Sequence, residues 1–135
     1  IAYGLSNVGY GATYIVRGTI SHTPSAPAGL QAMARSTSQI DLVWTDTSRN
    51  ELGFRIERST DGRSDWGPVA TVGANVQAWS DTNLPIATTY HYRVQAFNDA
   101  GSSPYSNPAM SRTWPDPADI DERFYLPVLV TGSAR

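Results

Sequence analysis

His22 and His91 are the two histidines of this chain, and histidine is the side chain whose ordinary pKa lies nearest neutrality. No HExxH run, paired-histidine spacing or cysteine cluster accompanies them, so the pattern of a zinc or other transition-metal site is missing. His91 alternates outward on a strand carrying Tyr90 and Tyr92 and reads as a surface side chain, while His22 reads as linker. Asp116, Asp119, Asp121 and Glu122 supply hard oxygen ligands of the kind Ca²⁺ takes. The glycine and regular spacing of a calcium loop are absent there, so the cluster reads as a solvated linker, and neither metal nor cofactor is expected. No GxSxG elbow or glycine-rich phosphate loop occurs, and the acidic residues are scattered over turns and outer faces, so no catalytic residue is assigned. Trp66, Trp79 and Trp114 are the remaining candidates, because indole faces stack on sugars. Trp66 reads as half-buried and Trp114 as packing the linker, which leaves carbohydrate binding as an alternative only.

Composition narrows the field further. A length of 135 residues allows one domain with some extra chain. Charged residues make up 16% and the net charge is -2, which argues against a nucleic-acid partner. There is no cysteine, and all 10 basic residues are arginine. Disulfides, lysine crosslinks and Schiff bases are therefore unavailable, and any durable assembly must be noncovalent. The longest apolar run, Leu126 to Val130, contains Pro127 and falls far short of the ~20 residues that span a membrane. The chain begins at Ile1 with no charged leader segment, as expected for a processed protein or a piece of a longer one.

These residues sit on elements with a period of two. Leu30, Ala32 and Ala34 alternate as a first strand, and Ile40, Leu42 and Trp44 as a second. A turn at Asn50 to Gly53 leads to Phe54 and Ile56 on a third. Asp61-Gly62 reads as a tight turn, followed by strands over Trp66 to Val72 and Val76 to Ser80. Leu84 to Asn107 then reads as a hairpin, with Tyr90, Tyr92, Val94 and Ala96 on one face and a second strand starting near Ser102. The fold class is all-β, an antiparallel sandwich.

Spaced motifs make this specific. The leading Pro24 and Pro27, Trp44, the run GFRIERS at Gly53 to Ser59, Leu84 with Thr88 and Tyr90, and YRVQAFNDAGSSPYSN resemble a fibronectin type III domain over Pro24 to Thr113. Pro85 departs from that pattern by one residue. The resemblance implies an immunoglobulin-like β-sandwich whose core holds Trp44, Phe54, Ile56, Trp79, Leu84, Tyr90, Tyr92 and Val94. It also implies a corner at which the Tyr90 hydroxyl bonds upstream backbone.

The chain then divides into an N-terminal extension (1–23), the domain (24–113) and a C-terminal linker and strand (114–135). Val8, Tyr10, Ala12, Tyr14, Val16 and Ile20 share one face of a long alternating run. Phe124, Leu126, Val128 and Val130 do the same after a Trp114-Pro115-Asp116-Pro117 linker. Such faces need burial, and three readings compete: the ends fold back on their own sandwich as edge strands, are cut remains of neighbouring domains, or pair with another copy by β-strand addition. The expectation is a noncatalytic extracellular module that joins copies of itself into a surface filament or matrix through these strands. An accessory or spacer domain of a secreted multidomain hydrolase is the alternative from another class.

Overall fold

Alternation decides which side chains go inside, and β6 (Thr89–Asn98) shows it most plainly. Tyr90, Tyr92, Val94, Ala96 and Asn98 are buried, and the residues that alternate with them are half-buried. The computed structural model describes residues 22–119. They form a three-stranded sheet and a five-stranded sheet, both antiparallel. In the first, β1 (Ala28–Ala34) pairs β2 (Ile40–Thr45), which pairs β5 (Ala78–Asp81). In the second, β4 (Gly67–Gly73) pairs β3 (Gly53–Ser59), which pairs β6. β6 continues into β7 (Gly101–Ser102) and also pairs β8 (Ala109–Arg112).

The core draws on both sheets. Leu30, Ile40, Leu42 and Trp44 come from the first, and Phe54, Ile56, Tyr90, Tyr92, Val94 and Ala96 from the second, with Leu84 from the loop before β6. Trp44 is 4% exposed and tilts its indole onto Phe54, with ring centroids 5.7 Å apart. Trp79, expected to be buried in the core, packs against it from the margin. It faces inward opposite Leu42 but stands on the outermost strand, so it is only half-buried.

Prolines shape the far edge. Pro104 and Pro108 cannot donate to a ladder, and the strand beside β6 is interrupted between β7 and β8. Hydroxyls fill the gap. The Ala96 N–H donates to Ser103 Oγ at 2.9 Å and the Val94 N–H to Ser106 Oγ at 3.1 Å. The backbone N–H groups of the same two serines donate back to Ala96 and Val94 carbonyls. The Asn107 amide then reaches the other sheet, accepting from the Leu30 N–H at 2.9 Å and donating to the Leu30 carbonyl at 3.0 Å.

Two poles result. At one, the His22 carbonyl accepts from the amides of Asn50 (3.2 Å) and Asn98 (3.0 Å), beside the last residue of β6. At the other, the Trp114 backbone pairs with Ser36 and Ala87, close to the first residue of β6. The Trp114 side chain is 52% exposed, so its backbone rather than its indole ties the linker down. Asp116 caps a short 3-10 turn over Pro117–Asp119 through the Ala118 N–H.

Candidate interaction surface

The outer face of the five-stranded sheet carries an assembled cluster of charged and aromatic side chains. Register places Glu57 of β3 opposite Arg93 of β6, both pointing away from the core. Arg93 Nε and Nη2 meet Glu57 Oε1 at 2.8 and 2.7 Å. The same guanidinium lies 4.3 Å from the Trp66 ring centre and 3.7 Å from that of Tyr105. Tyr105 closes the arrangement by donating to Glu57 Oε2 at 3.1 Å. Partial burial and then this carboxylate push the Tyr105 phenol above its ordinary pKa. One row along, Arg55 lies over Phe97 and donates to Ser102. A cation held between two aromatic faces is desolvated on both sides, which strengthens each contact.

A second group closes the open side of the sandwich. Arg58 follows Phe54 and Ile56 on the inward face of β3 and pairs with Asp81 of β5 at 2.8 Å. Asp81, 5% exposed, also accepts the Tyr92 hydroxyl at 2.9 Å. Burial, reinforced by the Asp81 charge, drives the Tyr92 phenol far up, so it stays a donor at any physiological pH. Arg58 lies over the Tyr90 ring at 4.8 Å. The corner expected at Tyr90 is therefore built differently. Among the described residues the hydroxyl that makes a buried bond belongs to Tyr92, and its acceptor is a carboxylate, not upstream backbone.

The loop between β3 and β4 is not the tight turn that Asp61-Gly62 suggests. Residues 60–66 form an open loop organised by two carboxylates. Asp61 accepts the Arg63 and Ser64 N–H groups at 2.7 and 3.0 Å, and these bonds hold its pKa well below the usual range. Asp65 accepts the Ser59 and Thr60 hydroxyls, which lower its pKa as well. The glycine is still required: Gly62 has φ +71°, and a Cβ there would meet the His91 ring at 2.7 Å. His91 is consequently half-buried against this loop, not a free surface side chain. An open hollow of about 340 Å³ beside the loop is lined by Arg58, Thr60, Asp65, Val69 and Tyr90.

The three tryptophans proposed for sugar stacking stand on different parts of the molecule. Trp66 covers Arg93, Trp79 faces inward on β5, and Trp114 follows β8 at the second pole. Trp44, Phe54, Ile56, Leu84, Tyr90, Tyr92 and Val94 lie in the core between the sheets. The assembly strands, Val8 to Ile20 and Phe124 to Val130, lie outside the described residues, as do Asp121 and Glu122. Among the described residues no group of three or more His, Asp or Glu side chains gathers as metal ligands. Sequence reasoning missed Arg93, Glu57 and Tyr105, because only strand register brings them together.

Residues 25–112 match the profile of the fibronectin type III domain. The chain belongs to the fibronectin type III family. It is 35% identical over 98 residues to exoglucanase B of Cellulomonas fimi, a match that covers 70% of this chain and 8% of that protein. It is 25% identical over 88 residues to contactin-1 of Gallus gallus, covering 60% of this chain and 9% of that one. Among solved structures, a β-1,2-glucanase from Parabacteroides distasonis superposes with a TM-score of 0.63 at 26% identity, over 73% of this chain and 14% of that one. This fibronectin type III chain thus spans under a tenth of the curated relatives it matches.

Proposed function

We propose that this chain is a noncatalytic extracellular module that holds its neighbours apart within a secreted multidomain hydrolase acting on glucans. The observation that carries this is the placement of its two poles. The chain arrives beside the end of β6 and departs beside its start, with 10 residues of extended strand between. That strand is about 33 Å long, so the module separates its two neighbours along the chain by about that distance. The small share of each relative that it covers, and the exoglucanase and glucanase names of two of them, support the same reading. No helix among the described residues is long and apolar enough to cross a membrane.

A filament subunit is the second reading. One observation favours it: β4 and β5 are edge strands, each paired on one side only among the described residues, and an edge strand is a template for strand addition. Light scattering and electron microscopy of the 135-residue chain separate the two. A monomer supports the spacer. Fibres that vanish when residues 1–21 are deleted establish strand addition and overturn it.

A further inference from the structure

Spacing neighbours apart gives no work to the outer face of the five-stranded sheet, yet its centre is already assembled. The Trp66 and Tyr105 ring centres both lie within 4.3 Å of the Arg93 guanidinium carbon. Glu57 grips that guanidinium and also accepts the Tyr105 hydroxyl, so side chains from β3, β6 and two loops hold one another in place. Their ordering is completed on folding and is not charged against a ligand. The rings still reach the surface: Tyr105 is 37% exposed and Trp66 is half-buried. Among the described residues neither ring meets a second ring or a second cation. One row along, Thr71, Arg55 and Gln95 lie side by side across the same face, with Arg55 over Phe97.

We propose that this face is a binding platform for a β-linked glucan chain. Charge argues for a neutral partner, because Arg93 and Glu57 cancel each other at its centre. A sugar hydroxyl both donates and accepts, which suits a guanidinium and a carboxylate lying side by side. The C–H faces of the sugar rings are apolar and rest on the exposed parts of Trp66 and Tyr105. A protein partner fits less well, since the core of such an interface is depleted of charge and here an ion pair occupies the middle. Length favours a chain over a single sugar. Arg55 stands two residues along β3 from Glu57, and Phe97 four residues along β6 from Arg93, about 7 and 13 Å at the rise of a strand. Trp66 thus finds its aromatic companion in Tyr105, not in another tryptophan. That the chain is a β-linked glucan rests on the reading of this module as part of a secreted glucan hydrolase; the platform rests on geometry alone.

Native electrophoresis of the full chain through gels holding hydroxyethylcellulose (a β-1,4-glucan), a β-1,2-glucan or the α-linked dextran tests it. At least one β-glucan should retard the chain and dextran should not. Trp66→Ala and Tyr105→Ala should each weaken the retardation by about tenfold or more, while Trp114→Ala, at the second pole, should leave it unchanged. If a platform variant fails to fold, NMR titration of the unaltered chain with cellohexaose and with a β-1,2-linked glucose oligomer decides. A saturable shift of the Trp66 indole N–H supports the platform; no shift with either sugar, or a shift at Trp114 alone, overturns it. Equal retardation by dextran, or retardation that survives both substitutions, also overturns it. So does self-association that Trp66→Ala abolishes without any retardation, which would assign the face to protein contact. A monomer that binds no glucan overturns the platform and leaves the spacer standing, whereas fibres retarded by glucan do the reverse.

Discussion

Trp44 and Tyr92 fix the interior at the residue scale, and their removal separates packing from polar satisfaction. Trp44→Ala should cost about 3–5 kcal/mol, enough to unfold a marginal domain, as read by denaturant titration. Replacing Asp81 by Ala strips two donors at once, Arg58 and the Tyr92 hydroxyl, and should cost about 2–3 kcal/mol in the same assay. Hydrogen-bonded carboxylates act through pH. Asp41 is held low by the Gln39 amide and the Ser80 hydroxyl, Asp61 and Asp65 by the loop bonds described above. A depressed folded pKa stabilises fully above the unfolded value of about 3.9 and is lost as pH falls through the folded one. Melting temperature should therefore hold down to about pH 4 and drop below it, with a shallower drop in an Asp61→Asn, Asp65→Asn double variant. Inward-facing aromatics were legible because alternation names them. Asp81 was not, since a charge on an apolar face reads as a strand end until its partners are known.

Strands show the same division at the scale of elements. β1, β2, β3 and β6 follow from alternation alone, because each turns three or more buried or half-buried residues inward. The edge after β6 does not, because its ladder is completed by side chains. Ser106→Ala should leave the buried Val94 N–H without its acceptor and cost about 1–3 kcal/mol, with faster amide exchange at Val94 as the local signature. Asp61-Gly62 misled for a related reason. The dipeptide marks a tight turn, yet here the carboxylates of Asp61 and Asp65 bond nearby N–H and hydroxyl groups and hold residues 60–66 open. Ala87, in the turn before β6, is strained: its φ is 50°, in the left-handed region that glycine occupies freely. Ala87→Gly should raise stability by a few tenths to about 1 kcal/mol, measurable as a higher denaturation midpoint.

At the scale of the molecule, the sandwich was readable from its spaced motifs, whereas the Arg93 cluster and the Arg58–Asp81–Tyr92 group were not. Both join residues whose meeting depends on register or on a folded loop, and neither has a periodic signal. Mechanical load now enters. A module entered at one pole and left at the other is stretched lengthwise whenever its neighbours are pulled apart. The first and last strands bear that tension, and the Asn107 amide fastens the loop before β8 to Leu30 of β1. Two hydrogen bonds from one side chain thus act as a shear pin. Asn107→Ala should lower the force at which single molecules rupture, so resistance to pulling in this sandwich is set by an asparagine on its surface.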